Sequence, residues 1–256
     1  MTKRSATSAN ASDQVTYPPA KHLECDPATI RGLCRSFPLA HFITVDEHGM
    51  PRASRIPVVV DDDGESIVKA RGHLNGVNPQ SNSINGAPCV IAFSGPDAYI
   101  SPFWRTSSDR GPTWDYSSVN LHGRISKRDD IEFFKALVED LASLGEAREP
   151  DLARGERWQL SNVSNAYVAR LRRHVVAFEV KIERCEAISK FHQDFPREDA
   201  LSVAHVLGQS SQQSSRLVAA AITDRARGPE CPPCRQLTMR LDNNRTSNLA
   251  KRCDVA

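Results

Sequence analysis

The feature that most constrains the fold is a succession of short β-branched segments, each followed within a few residues by a turn signal. Residues 41–45 alternate between polar and apolar side chains, residues 46–49 form a glycine-containing turn, and residues 52–60 form the predicted return strand. Further segments of this kind lie at residues 66–70, 88–93, 98–100, 119–125 and 175–182. Short strands at this density are typical of antiparallel barrels, so the sequence predicts a mainly β fold.

Helices are predicted beside these strands. Asp26-Pro27 has the pattern of a helix start, with an acidic cap and proline at the first helical position. Residues 129–144 carry apolar side chains at helical spacing, and Gly145 is predicted to end that helix. Residues 164–173 predict another helix, and a short one is predicted at residues 217–222. The predicted fold class is therefore mainly β with flanking helices.

The composition divides the 256 residues into three parts. Residues 1–16 are polar, of low complexity and without the apolar core of a signal peptide, so we expect a disordered leader. Residues 17–207 carry the strands and form the predicted domain. Residues 208–256 lose all periodicity, and a largely disordered tail is expected. The cysteines at 231 and 234 have the spacing of a metal or redox motif, but without a second pair we interpret them as incidental.

Charge, hydropathy and cysteine usage limit the partners and the compartment. The 33 basic and 31 acidic residues give a net charge of +2, and the central region has no basic stripe, so nucleic acid is not expected as a partner. No apolar run is long enough to cross a bilayer, so no membrane partner is expected. Seven scattered cysteines indicate free thiols in a reducing compartment, and the sequence predicts a soluble cytoplasmic protein.

Four segments in register resemble the PaiB-type split-barrel family, whose members are described as FMN-binding negative transcriptional regulators. They are GHLNGVNPQ at residues 72–80, GPDAYISPFW at 95–104, PTWDYSSV at 112–119, and the stretch from VAFEV to KFHQ at 176–193. The resemblance extends from about Tyr17 to Val203. It implies a homodimeric split β-barrel that binds a planar cofactor in a cleft between the two subunits.

The chain departs from the family pattern where the cofactor or substrate is expected. Asp115 stands where asparagine is usual, and His192 stands where serine is usual. Asn75-Gly76 replaces an alanine–arginine pair, and the loop between Trp104 and Pro112 is short. These departures indicate a divergent member with chemistry of its own.

The resemblance suggests which residues hold the cofactor. His73 is expected to be the axial ligand of a haem iron, because histidine is the usual proximal ligand; a histidine hydrogen-bonded into a turn is the alternative. Trp104, Trp114 and Tyr116 are expected to bracket a flat cofactor, unless they belong to the barrel core. Arg124 is expected to pair with a phosphate or a propionate, and otherwise is a surface charge.

Three further residues are expected to perform acid–base chemistry in the cleft. Lys190 or His192 is expected to deprotonate an α-amine, and Asp115 to act with His192 as a proton carrier. Turn capping is the alternative role for Asp115 and His192. Lys190 is also a candidate partner of the cofactor's anionic group.

Three functions remain open at this stage. The preferred one is an enzyme similar to the haem-dependent piperazate synthases, a branch of the same family that converts N5-hydroxy-L-ornithine to the cyclic hydrazine L-piperazate with loss of water. The second is an FMN-binding oxidoreductase, with residues 52–55 as a possible phosphate site. The third is a cofactor-sensing regulator without turnover. The preference for haem b over FMN depends on the family resemblance and on His73.

Overall fold

The computed structural model describes residues 18–107, 109–149 and 157–228. Six antiparallel strands close into a barrel in the order β1-β2-β3-β6-β5-β4. The strands are β1 (Leu39–Val45), β2 (Pro51–Asp62), β3 (Ile67–Asn75), β4 (Pro88–Ile100), β5 (Thr113–Arg128) and β6 (Val175–Lys190). The helices of the described residues are α1 (Pro27–Ser36), α2 (Ile131–Arg148), α3 (Asn165–Arg173), α4 (Arg197–Gly208) and α5 (Gln213–Arg227). The predicted mainly β fold with flanking helices is confirmed.

The first hairpin forms where the alternation and the turn signal predict it. β1 pairs with β2 so that Ile43 lies opposite Ala53. The Asp46 carboxylate accepts hydrogen bonds from the backbone N–H groups of His48 and Met50. Gly49 has a φ of +78°, a conformation that glycine adopts without steric cost. The turn therefore sets the register that sends alternate side chains of β1 into the barrel.

Aromatic rings fill the barrel interior. Phe42 of β1 and Phe178 of β6 stack with ring centroids 4.7 Å apart, and Phe93 of β4 is also fully buried. Burying a side chain of this size contributes about 2–3 kcal/mol to stability. Leu33 and Cys34 of α1 pack against the same core, so this helix covers part of the barrel.

Strands β4, β5 and β6 continue beyond the part of the barrel that β3 covers. β3 pairs with β6 only as far as Lys181, whereas β5 pairs with β6 to Lys190. We call residues 97–100, 113–117 and 186–190 the sheet extension. The backbone N–H of Glu24 donates to the Ala187 carbonyl on the free side of β6. One face of the extension packs against α4 and α5, in a cluster that includes Ala98, Ile100, Phe191, Val203, Val218 and Ile222.

Two predicted boundaries are corrected. Gly145 does not end α2, which continues to Arg148. Helix α5 is longer than the predicted helix at 217–222, and its residue Ile222 is fully buried against the sheet extension. Ordered structure therefore extends beyond residue 207, the predicted domain boundary, to Gly228.

The remaining predictions about the ends of the chain fall outside the described residues. Residues 1–17 and 229–256, which include the whole predicted leader, most of the predicted tail and the two cysteines at 231 and 234, are not described. In the described part of the chain, no helix combines the length and the apolar character that crossing a membrane requires.

Candidate cofactor site

The predicted site residues form two groups near opposite ends of β6. His73 on β3 pairs with Ala177, near the start of β6. Tyr116 on β5 pairs with Lys190, the last residue of β6. At about 3.3 Å per residue, positions 177 and 190 lie roughly 40 Å apart along the strand. A single chain therefore does not bring all the predicted residues to one place.

His73 lies on the outer face of the barrel, where its imidazole is half-buried. Its Nδ1 is buried and has no hydrogen-bond partner among the described residues. Burial lowers the pKa of His73 below its usual value, so the ring is neutral at pH 7. A neutral imidazole is the form that binds a metal, but a ligating histidine usually donates its other N–H to an acceptor, which is lacking here.

The same part of the chain has no complete metal site of its own. No group of three or more histidine, cysteine, aspartate or glutamate side chains among residues 18–107, 109–149 and 157–228 is arranged to hold a metal ion. Iron bound at His73 therefore has to arrive within a prosthetic group that supplies most of its ligands. The single neutral imidazole fits the axial position of haem, and this is the observation that makes haem compatible with the chain.

The Asn78-Pro79-Gln80 part of the first motif is hydrogen-bonded to strands β1 and β2. Gln80 is buried, and its Nε2 donates to Thr44 Oγ1 at 2.9 Å. The Ser54 hydroxyl donates to Gln80 Oε1, and Asn78 Nδ2 donates to Ser54. The motif thus holds the loop that follows His73. It also engages the hydroxyl of Ser54, the serine of the possible phosphate site at 52–55.

The second group forms an exposed aromatic surface on the sheet extension. Trp114 and Tyr99 pair across β5 and β4, are 54% and 44% exposed, and meet edge to face at 6.0 Å between ring centroids. Tyr99 also meets Trp104 at 6.1 Å, and Phe103 is 85% exposed. Tyr116 is half-buried, one side-chain period along β5 from Trp114. We call these five residues the aromatic surface; Phe103 was not among the predicted residues.

Lys190 lies beside this surface, and Arg124 does not. The ammonium of Lys190 donates to the Trp114 carbonyl at 2.7 Å and to Thr113 Oγ1 at 2.5 Å. It therefore brings a positive charge to the base of the aromatic surface. Arg124 is exposed, pairs with Lys181 in the sheet, and has Glu183 as its ion-pair partner at 3.6 Å. Arg124 lies on β5, opposite a position of β6 that is between the two groups.

His192 and Asp115 are in direct contact beneath the sheet extension. His192 Nδ1 lies 2.6 Å from Asp115 Oδ2, and both side chains are completely buried. Nε of Arg105, a residue that is only 6% exposed, donates to His192 Nε2 at 3.1 Å. Because an arginine only donates, Nε2 is the acceptor and Nδ1 carries the hydrogen that Asp115 accepts. We call these three residues the buried Arg–His–Asp chain.

This burial bears on the predicted acid–base role of His192 and Asp115. In the described conformation neither side chain reaches solvent, so neither contacts a substrate at the surface. Phe195 stacks on His192 at 4.3 Å between ring centroids, and the guanidinium of Arg105 lies 4.1 Å from the Phe195 ring centre. Arg105 was not predicted, because its partner His192 lies 87 residues away in the sequence and no motif connects the two.

Two clefts border helix α2. One, of about 120 Å³, is lined by residues that include Arg128, Phe134 and Ala177. The other, of about 360 Å³, is lined by residues that include Cys34 and Arg71. None of the predicted cofactor or acid–base residues lines either cleft, so these clefts are not the predicted site.

The closed six-stranded barrel, its outer helices and its exposed aromatic surface define a split-barrel protein. The chain belongs to the family described as "Putative FMN-binding domain", whose model matches residues 16–184. The family that the four motifs predicted is thereby confirmed.

Similar proteins support the family and the fold. "Protease synthase and sporulation protein PAI 2" of Bacillus subtilis is 27% identical over 186 residues, which cover 72% of this chain and 85% of that protein. An uncharacterized protein of Emericella nidulans is 23% identical over 245 residues, covering 82% and 97%. The solved structure of the "FAD and Heme binding protein from Mycobacterium smegmatis" matches with a TM-score of 0.50 at 14% identity, covering 72% of this chain and 80% of that one, and shows a shared fold.

Proposed function

We propose that two copies of this chain bind haem b through His73 and use it to form an N–N bond in a small N-hydroxylated amine. The observation that carries the proposal is the half-buried, neutral imidazole of His73 on the outer face of the barrel. The Mycobacterium smegmatis protein of the same fold is described as binding FAD and haem, which supports a planar cofactor on this barrel.

The site that we propose is shared between two copies. His73 and the aromatic surface are roughly 40 Å apart along β6, so both reach one cofactor only if they come from different subunits. The exposed Trp114 and Tyr99 supply the apolar area that such a contact buries. A symmetric dimer then contains two equivalent sites, each with His73 from one subunit and Trp114 from the other.

Each predicted residue has a task in the proposed site. His73 would hold the iron, and Trp104, Trp114 and Tyr116 would supply apolar contacts to the macrocycle. Arg124 is a candidate partner of a propionate, for which it would exchange its ion pair with Glu183. Haem iron supplies a Lewis-acidic centre that polarises the N–O bond of a bound hydroxylamine.

The reaction that we propose is the cyclisation of N5-hydroxy-L-ornithine to L-piperazate. The N–O bond breaks, a bond forms between the α-nitrogen and N5, and the oxygen leaves as water, so that no external oxidant or reductant is needed. Lys190 lies beside the aromatic surface and is the candidate base for the α-amine, a role that requires its ammonium to lose the proton that it donates to the Trp114 carbonyl. Because His192 and Asp115 are both buried, they do not contact the substrate and instead hold neighbouring residues in position.

The experiment is an absorption spectrum of protein expressed with a haem precursor, followed by incubation with N5-hydroxy-L-ornithine. We expect a Soret band that His73→Ala abolishes and that His41→Ala retains. His41 is a matched control, because it lies on the outer face of β1 and is exposed. A colourless protein, or one without product, would refute the proposed enzyme.

A flavin oxidoreductase is the second candidate, favoured by the description of the family model. A flavin oxidoreductase would be yellow when purified and would release FMN on denaturation. In that case His73→Ala leaves the bound cofactor unchanged. The aromatic surface and Lys190 then serve a flavin instead of a macrocycle.

A further inference from the structure

The buried Arg–His–Asp chain connects three segments that are distant in sequence. Arg105 belongs to the loop after β4, Asp115 to the start of β5, and His192 to the loop after β6. Arg105 Nη1 also donates to the Gly111 carbonyl at 3.2 Å, so the guanidinium also connects two parts of the loop between β4 and β5. The chain therefore holds together the strand ends that carry the aromatic surface.

The backbone at His192 is strained. Its φ is +59°, and it is the one described non-glycine residue with a positive φ. Such a conformation persists where the surrounding contacts enforce it, and strain of this kind concentrates at functional sites. Here the enforcing contacts are the hydrogen bonds to Arg105 and Asp115 and the stacking on Phe195.

The residues that bear on the proposed ligand lie directly beside this chain. Asp115 is flanked by Trp114 and Tyr116, whose side chains leave β5 on the opposite face. Lys190 precedes His192 by two residues and donates to the carbonyl of Trp114. The contact between Asp115 and His192 therefore joins the two segments that carry the Trp114 carbonyl and the Lys190 ammonium.

We infer that Arg105 is a positioning residue which, through His192 and Asp115, keeps the Lys190 ammonium on the Trp114 carbonyl. The inference rests on the proposed function in one respect, which is that the arrangement presents Lys190 and Trp114 to a ligand. Two of the departures from the family pattern, Asp115 and His192, then form one unit with Arg105. They are not independent acid–base groups.

The test measures the reactivity of Lys190 in the purified full-length chain without added cofactor. Pulse acetylation with acetic anhydride, read by peptide mass spectrometry, reports on Lys190, while alkylation of Cys34 by iodoacetamide reports on the integrity of the barrel. Cys34 is 1% exposed and belongs to the core. We compare the wild type with Arg105→Met, Arg105→Lys and Arg110→Met.

Arg105→Met should raise the acetylation rate of Lys190 about tenfold, the effect of losing one or two hydrogen bonds to the ammonium, with Cys34 still protected. Arg105→Lys should give an intermediate rate, because lysine keeps the charge but not the planar fork. Arg110→Met is the matched control: Arg110 also lies over Phe195, at 5.1 Å, but it is exposed. It should leave the rate unchanged.

Two outcomes would overturn the inference. One is an unchanged Lys190 rate in Arg105→Met with Cys34 protected. The other is alkylation of Cys34 rising in step with acetylation of Lys190, which would make Arg105 a general stabiliser of the barrel. Because no cofactor is used, the result is independent of the proposed function: a raised Lys190 rate in a protein that binds neither haem nor FMN would keep Arg105 as a positioning residue and refute the proposed function alone.

Discussion

A site shared between subunits predicts that two defective copies restore each other. The perturbations are His73→Ala, which removes the proposed iron ligand, and Trp114→Ala, which removes the most exposed ring near Lys190. Each homodimer should lose cofactor at both sites. A heterodimer with one substitution on each copy should keep one intact site, built from the unchanged His73 of one copy and the unchanged Trp114 of the other.

The size of the effect follows from where the two residues lie relative to β6. His73 on β3 pairs with Ala177, whereas Trp114 lies on β5 two residues before Tyr116, which pairs with Lys190. The two residues are separated by roughly 40 Å along β6, so one chain does not supply both to a single cofactor. In a symmetric dimer, the heterodimer with one substitution on each copy should therefore bind about half of the wild-type cofactor. With both substitutions on one copy and none on the other, each site has one defect, and binding should fall to the level of the single variants.

The assay purifies each heterodimer through two different affinity tags and measures cofactor per dimer by absorbance, whichever cofactor binds. The heterodimer with both substitutions on one copy is the internal control, because it also contains one His73→Ala and one Trp114→Ala per dimer. The reverse pattern, with cofactor retained only when both substitutions lie on one copy, would place the site within a single chain. A protein that sediments as a monomer would refute the shared site directly.

Three further predictions concern the stability of the fold, measured by urea unfolding. His192→Ala should cost about 4 kcal/mol, because it leaves two buried charges unpaired, and His192→Gly about 1 kcal/mol less, because glycine relieves the positive φ. Gly123→Ala should cost about 2 kcal/mol or more, because a Cβ there would collide with the Lys181 carbonyl, whereas Gly145→Ala, in open space within α2, should gain about 1 kcal/mol. Burial lowers the pKa of His73 in the native state, so as the pH falls through 6.5 the unfolded chain takes up the proton first, and stability should fall as the pH drops below about 7, and less so in His73→Gln. A pH slope identical in the wild type and His73→Gln, an equal cost for the two His192 variants, or a harmless Gly123→Ala would each contradict the corresponding argument.

The parts of the strands that could be predicted are those that line the apolar core. The alternation at residues 119–125 identified the middle of β5, where Val119, Leu121 and Ile125 point inward. The strand begins six residues earlier, at Thr113. Its inward residues there include Asp115 and Ser117, which are buried but polar, so the hydrophobic period that marks a strand is missing.

The end of β6 was missed for a related reason. Residues 183–186 read Glu-Arg-Cys-Glu and carry no apolar alternation, because this stretch leaves β3 and pairs with β5 alone. Helix α4 was also not predicted, although Val203 and Leu207 are buried. Its buried residues Ala200, Val203, Ala204 and Leu207 have the spacing of an amphipathic helix, so the sequence carried a signal for α4 that was not used.

The candidate site shows what a single sequence leaves undetermined. Motifs identified His73, Trp104 and Trp114, but not that the first lies at one end of β6 and the others at the opposite end. That separation depends on the register of β6 with β3 and β5. Strand register follows from many core contacts together and is not carried by any one motif.

The buried Arg–His–Asp chain is the clearest case of information that only the fold supplies. In sequence, Asp115 and His192 read as two polar loop residues that are suited to proton transfer. In the fold, the pairing of Tyr116 with Lys190 brings them within 2.6 Å of each other and away from solvent. A buried charge persists only with a partner, so an aspartate at 115 requires a donor such as His192, and the pair in turn accommodates Arg105. Changes at these positions in any variant of this chain should therefore be made together, because each single change leaves a buried group without its partner.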